Sequence, residues 1–387
     1  MEIKTVEEIN QYIGATVNPL DNPDTVYELY SVPSFESQHP EIINGSDIGS
    51  SKITVDEGDV LVCKINPRIN RVWVVKRHTS YPLLASSEWI VIRNRDIDSG
   101  YLKWYFASPT FRNLLVSQVA GIGGSLTRAQ PKQVAKYPVP VVGKEEQHRI
   151  ASVLDKVNDL IAKRRAQMDK LDLLVKARFV EMFGDPVLNP MKWPEQYLEN
   201  MADIVSGITK GRKTKETELI EVPYMAVSNV KDGYIDWTTV KTILATKSEI
   251  EQYRLLPDDV LMTEGGDPDK LGRGAIIQKP LENCIHQNHI FRVRLDENIL
   301  LPPYFAEFLQ HQKAKQYFLR CAKQTTGIAS INMRQLKELP ILVPPQDIQF
   351  RFGNFIEKTG HLKFTIASDL EKLEMLRKSL MQQYFNI

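Results

Sequence analysis

The chain has 387 residues, 49 Lys plus Arg against 48 Asp plus Glu, a formal charge of +1 and 42% hydrophobic residues. That size and balance predict two or three domains with their own cores and exclude a disordered or collagenous chain. Cys63, Cys284 and Cys321 include no CxxC pair, no apolar run nears the roughly 18 residues of a membrane span, and MEIKTVEEINQYIG is no signal peptide, so secreted, membrane and small zinc-finger classes are disfavoured and a cytoplasmic protein is expected.

Charge is segregated along the first 143 residues. Residues 1–59 carry 2 basic and 12 acidic side chains, and residues 60–143 carry 12 basic and 3 acidic. A basic stretch with Trp73, Trp89 and Trp104 interleaved has the composition of a phosphate-binding surface, although the same charges can simply be dispersed over a solvated face. Short β-like runs occupy 52–55, 59–65, 71–75 and 88–93, followed by a helical segment at 101–119.

Residues 145–183 lack Pro and Gly until Gly184-Asp185-Pro186, a stop signal. Alternating steps of four and three pick out Ile150, Leu154, Val157, Ile161, Arg164, Met168, Leu171, Val175, Arg178 and Met182, a coiled-coil seam. A second mixed region follows, with a basic run at Lys210, Arg212, Lys213 and Lys215, strands at 274–278 and 289–295, and a helix at 303–322. The last helix, 347–385, repeats the seam 202 residues later as Phe352, Ile356, Thr359, Lys363, Ile366, Leu370, Leu373, Arg377, Leu380 and Tyr384. Two heptad helices in one chain should pair with each other, and the charged seam positions can fix their register. A flanking apolar row (Val153, Leu160 and Leu174; Phe355, Leu362 and Leu376) makes the stripe wider than a two-stranded seam needs. It points to helices received from another protein, unless the chain's own loops cover it. The seam from Ile150 to Met182 measures roughly 48 Å, a rigid spacer of about one DNA turn or a little more.

The mixed regions repeat as well. EGDVLVCKINP (57–67) matches PDDVLMTEGGDP (257–268), SSEWIVIR (86–93) matches QNHIFRVR (287–294), and GGSLTRAQPKQVAKYPVPVV (123–142) parallels IASINMRQLKELPILVPP (328–345). The chain is therefore two copies of one module. Strands and helices in irregular order predict an α+β fold, with two globular domains separated by a long antiparallel two-helix coiled coil and related by a pseudo-twofold repeat. The expected boundaries are 1–143, 144–184, 185–345 and 346–387.

Other motifs lead nowhere. Leu301 replaces the amide or carboxylate of an adenine-methyltransferase motif in LPPYF (301–305), and GITKGRKT (207–214) is one residue short of a P-loop. Cys284 and His286 share a strand face while His289 points away, so a strand entering the core is favoured over a metal site. No catalytic constellation has supporting context.

With repeat and helices assembled, the whole chain resembles the specificity (S) subunit of Type I restriction–modification systems. The strongest carriers are EEQHRIASVLDKVNDLIAKRRAQMDKLDLLVKARFVEMFGDP (145–186) and the copy from Pro344 onward, supported by YELYSVPSF (27–35) and GDVLVCKINPR (58–68). It departs from the family in starting almost directly with a recognition domain, with no long helix before it. The resemblance implies two target-recognition domains, each reading a half-site in the major groove of double-stranded DNA. It implies an asymmetric bipartite target whose spacer is set by the helix pair. It also implies docking of two methyltransferase (M) subunits and of restriction (R) subunits, with S-adenosylmethionine and ATP/Mg on those partners, no cofactor or metal in this chain and no catalysis by it. The family's DNA-facing loop maps onto Ser125, Thr127, Arg128, Gln130 and Lys132, and onto Ser330, Asn332, Arg334, Gln335 and Lys337. Thr127 and Asn332 equally suit helix N-caps. Asn66, Arg68, Asn70 and Arg71 form a polar loop of the first domain; Lys270, Arg273, Lys210, Arg212 and Lys213 play that part in the second. Arg suits guanine and Asn or Gln adenine, while most basic contacts go to phosphate. The rival readings are a coiled-coil scaffold that binds only protein and a nuclease–methyltransferase in its own right.

Overall fold

A computed structural model describes residues 2–117, 127–213, 218–266, 271–325 and 328–386. It divides into two compact units, residues 1–166 with 367–387 and residues 167–366. Each therefore combines one mixed domain with half of each long helix.

The first unit holds a five-stranded mixed sheet in the order Thr16–Val17, Lys52–Thr54, Leu83–Ser86, Val26–Tyr30, Glu41–Asn44. A three-stranded antiparallel sheet runs Val72–Val74, Val60–Cys63, Trp89–Ile92. Strand Val60–Cys63 is buried on both faces, which explains its unbroken apolar sequence. Glu2–Thr5 pairs antiparallel with Pro138–Val141 and closes the domain beside the start of the long helix Lys144–Phe183. The second unit repeats these parts: Val260–Thr263 lies between Ile290–Leu295 and Gly274–Ile276, and Glu195–Tyr197 pairs with Pro340–Leu342.

The helical segments expected at 101–119 and 303–322 are each two helices. Ser99–Ala107 is followed by Pro109–Ser117, and Pro302–Phe308 by Gln312–Cys321. In the first case Ser108 is extended (ψ 153) before Pro109, because the proline ring disfavours helical backbone in the residue before it. In the second, His311 is extended (φ −88, ψ 161) and starts a new helix.

The repeat is physical as well as textual. Asp59 and Asp259 are both buried and pair through two hydrogen bonds with Arg93 (2.7 and 2.8 Å) and Arg294 (both 2.8 Å) respectively. Each carboxylate also accepts the amide N–H three residues earlier, Asp56 at 2.8 Å and Leu256 at 2.7 Å. Gln147 and Gln349 are buried at the first turn of each long helix. Each accepts a backbone N–H, from Asp98 and Leu301, and donates to a carbonyl, Val142 O and Pro344 O.

The long helices run unbroken over Lys144–Phe183 and Gln346–Phe385. In the first unit Ile150, Ala151 and Leu154 share one core with Met381 and Phe385, and the Phe385 ring meets Tyr101 and Tyr105 edge-on. Arg164 reaches Asp369 (3.2 Å), Arg165 reaches Glu374 (2.6 Å), and Arg377 donates to Asn158 (2.9 Å). In the second unit Val175, Phe179 and Phe183 share a core with Phe352, and Lys363 pairs with Asp172. Within each unit, partners rise along one helix as they fall along the other, so the two segments are antiparallel. Every seam position expected from the heptad frame is buried or half-buried: Met168, Leu171, Ile356, Ile366, Leu370, Leu373 and Leu380 are half-buried, and Ile150, Leu154, Val157, Ile161, Val175 and Phe352 are buried. The charged seam residues Arg164, Lys363 and Arg377 each take a partner from the facing helix, and Arg178 pairs with Glu181 of its own helix and lies over Phe355. In the flanking row Val153 and Phe355 are half-buried while Leu160, Leu174, Leu362 and Leu376 stay exposed, and no loop among the described residues covers them.

Candidate nucleic-acid interface

Sequence order brings the polar loop at 66–71 nowhere near residues 127–132; the fold does. In the first unit Ile65 bridges Arg128, Asn66 N–H donates to Thr127 O (3.0 Å), and Ala129 N–H donates to Lys64 O (2.9 Å). Arg68, Arg128, Gln130 and Lys132 are exposed there. Asn66 and Asn70 have left-handed backbone (φ 49 and 52), which Asn tolerates better than most residues. Asn70 also donates to Phe106 O (2.9 Å), so both residues shape the loop. Arg71 is largely buried, 3.7 Å from Glu36. Thr127 is not an N-cap: the short helix Pro131–Val134 has Gln130 at that position. Ser125 lies outside the described residues.

The second unit forms the matching crossing. Gly265–Gly266 pairs with Ile328–Ser330, Gly265 opposite Ser330, and Ile331 N–H donates to Glu264 O (2.8 Å). Thr263 N–H donates to Arg273 O (3.1 Å), which brings Arg273 to the same place. Asn332 caps helix Met333–Lys337: its side chain accepts from Gln335 N–H (3.0 Å) while the Gln335 side chain accepts from Asn332 N–H (2.9 Å). The capping reading holds for Asn332 and also engages Gln335. Arg334 is exposed and paired with Glu338 (2.7 Å), and Lys337 and Ser330 are half-exposed. Lys270 lies outside the described residues. Lys210 and Lys213 are exposed, but Arg212 is held by Glu249 and Leu244 O and lowers the Glu249 carboxyl below the usual range through that hydrogen bond. No hydrogen bond among the described residues joins the 210–213 run to the Gly265–Ser330 crossing.

Two expectations change. Trp73, Trp89 and Trp104 are all buried, and Trp89 and Trp104 donate their indole N–H to Tyr30 O and Asp155 (both 2.9 Å). They are core, and none offers a face for base stacking. The chain's basic and acidic stretches also neutralise each other in part: Arg93 meets Asp56 and Asp59, Arg95 meets Asp56, and Arg71 approaches Glu36. Among the described residues Arg68, Lys76, Lys132 and Lys136 have no ion pair. Nothing in composition marks Glu88 and Glu264, which stand at the two crossings, and the repeat does not align them: Lys64 corresponds to Glu264 and Glu88 to His289.

The Cys284–His289 region follows the strand reading. Cys284 and His286 are buried, His286 between Val205 O (3.2 Å) and Tyr253 O (3.1 Å), while His289 is outside, 2.6 Å from Glu264. Burial pushes the His286 imidazole down to about 4 and the Cys284 thiol up to about 12. Leu301 caps the LPPYF helix, whose Pro302, Tyr304 and Phe305 are core. Among the described residues there is no group of three metal-ligand side chains, and no helix long and apolar enough to cross a membrane.

Residues 190–374 match the family model of the Type I restriction modification DNA specificity domain. The MjaX type I restriction enzyme specificity subunit of Methanocaldococcus jannaschii is 27% identical over 197 residues, 51% of this chain and 46% of that one. The EcoKI specificity subunit of Escherichia coli is 23% identical over 288 residues, 71% of this chain and 61% of that one. The chain thus spans about half to three fifths of these curated relatives. A chain solved in work on complex assembly and conformational transition of the type I R-M system shares the fold with TM-score 0.60, 17% identity and coverage of 99% and 97%. The S subunit of the Type I system from M. genitalium does so with TM-score 0.55, 13% identity and coverage of 98% and 95%. Residues 190–374 thus carry the likeness to the Type I restriction modification DNA specificity domain, and the chain as a whole is similar in sequence and in its mixed helix-and-sheet fold to specificity subunits of Type I restriction–modification systems.

Proposed function

We propose that the chain is the non-catalytic, DNA-reading subunit of a Type I restriction–modification complex in the cytoplasm. Residues 1–143 and 185–345 are its two recognition domains, each reading one half of an asymmetric bipartite target in double-stranded DNA. The helices at 144–184 and 346–387 set the spacer and dock two methyltransferase subunits. Restriction subunits join them, and S-adenosylmethionine and ATP/Mg bind to the partners. One observation carries this reading: the same loop crossing recurs in both units, Ile65 with Arg128 and Gly265 with Ser330, on different side chains. Equivalent scaffolds with unlike polar residues suit two unlike half-sites. The exposed Leu160, Leu174, Leu362 and Leu376 support a surface for partner helices.

The test is selection of duplexes from a randomised pool by the purified chain, followed by binding at several salt concentrations. Two enriched half-sites with a fixed gap are expected, and affinity should fall linearly on log–log axes with salt. R68A and K132A should weaken all duplexes alike. Exchanging residues 1–143 for another recognition domain of the family should alter one half-site. Absence of enrichment, or change in both half-sites on exchange, would refute the assignment and leave a protein-binding scaffold.

A further inference from the structure

At each crossing, three chain segments meet around one carboxylate. In the first unit Lys64 N–H donates to Glu88 O (2.9 Å), one step beyond the Cys63–Trp89 pair of the ladder. In the second Glu264 N–H donates to His289 O (3.0 Å), one step beyond Thr263–Ile290. Residues opposite each other in an antiparallel ladder share a face, so position 64 faces 88 and position 264 faces 289. Glu88 is 2.9 Å from Arg128, and Glu264 is 2.6 Å from His289. The same place in the fold thus holds a carboxylate beside a cationic or cation-forming side chain in both units, with the acid on opposite strands of the ladder.

Both carboxylates reach solvent, with side chains 27% and 33% exposed. Burial therefore does not explain the pairs. On a surface that approaches phosphates, a carboxylate opposes binding by charge alone. It gains a use where it accepts a hydrogen bond from a base edge, and in the major groove the carboxylate's partner is the N4 amine of cytosine. The neighbouring Arg128 or His289 orients it, and the Arg128 guanidinium also offsets its repulsion from the backbone. Resting on the DNA-reading function above, we propose that Glu88 and Glu264 are specificity-determining residues, one per half-site, each accepting from the N4 amine of a cytosine. They lower affinity for unrelated DNA and raise selectivity for the target.

The experiment is duplex selection by the full chain and by E88Q, E264Q and R128Q, with melting curves to verify folding. The wild type comes first: if it enriches no sequence, the DNA-reading function itself has failed. Given enrichment, E88Q should relax a cytosine preference at one position of one half-site by about 5- to 150-fold, the equivalent of the usual 1–3 kcal/mol per base contact. E264Q should do so in the other half-site only. Both variants should bind a scrambled duplex at least as tightly as the wild type. R128Q keeps the acid but removes the side chain that orients it, so the cytosine preference should weaken by less than in E88Q. Unchanged base preferences in E88Q and E264Q, or a loss in R128Q as large as that in E88Q, would overturn the proposal and leave Glu88–Arg128 a structural ion pair.

Discussion

Removing seven residues from each long helix in register tests the ruler. The facing pairs Arg164–Asp369 and Asn158–Arg377 place residues 161–167 opposite 367–373. Deleting both segments removes Ile161 and Arg164 from one helix and Leu370 and Leu373 from the other, and leaves the four-three seam frame intact on either side. Seven residues at about 1.5 Å each shorten the pair by roughly 10 Å. At about 3.4 Å per base pair, that is about three base pairs of spacer. Three base pairs also rotate one half-site by roughly 100° about the duplex, since a turn takes about 10.5. Duplex selection should return the same two half-sites with a gap about three base pairs shorter, and at reduced affinity because the DNA must twist to present both. Deleting 161–167 alone should instead break the cross-helix pairs and lower the melting temperature. A double deletion that folds and selects the original gap would refute the ruler.

Three further outcomes concern stability. His286 is buried and neutral with its pKa lowered from 6.5 to about 4, so the unfolded chain binds the extra proton first: stability should fall as pH drops from about 6.5 to about 4, by on the order of 3 kcal/mol, and H286Q should flatten that part of a urea-midpoint profile. Removing the charge partner in R93A or R294A leaves Asp59 or Asp259 buried without its cation and should cost on the order of 3 kcal/mol by urea unfolding; near-neutral values in both would contradict the matched-scaffold account. L154A, at a fully buried seam site, should cost about 2–5 kcal/mol, whereas L160A, 48% exposed, should change stability by less than about 0.5 kcal/mol.

Some of this protein can be read directly from its residues. The long helices are legible because heptad spacing is local and unbroken by Pro or Gly: the expected spans 145–183 and 347–385 each fall one residue short at the start. The duplication is legible because copied residues keep copied jobs, as Asp59 and Asp259 do. The break at Ser108-Pro109 was available in principle, since proline restricts the residue before it.

What the tertiary structure decided is which side chains meet. Tryptophans within a basic stretch look the same in sequence whether they stack on bases or fill a core, and burial settled that for Trp73, Trp89 and Trp104. Arg71 and Arg212 resemble Arg68 as letters, yet carboxylates far along the chain engage the first two. The crossings of residue 65 with 128 and of 265 with 330 join segments more than 60 residues apart, and loop positions carry no periodicity from which such pairing could be inferred. Local spacing fixes an element because its forces act within a turn or a strand; a site is fixed by contacts between distant segments, and those exist only once the chain has folded.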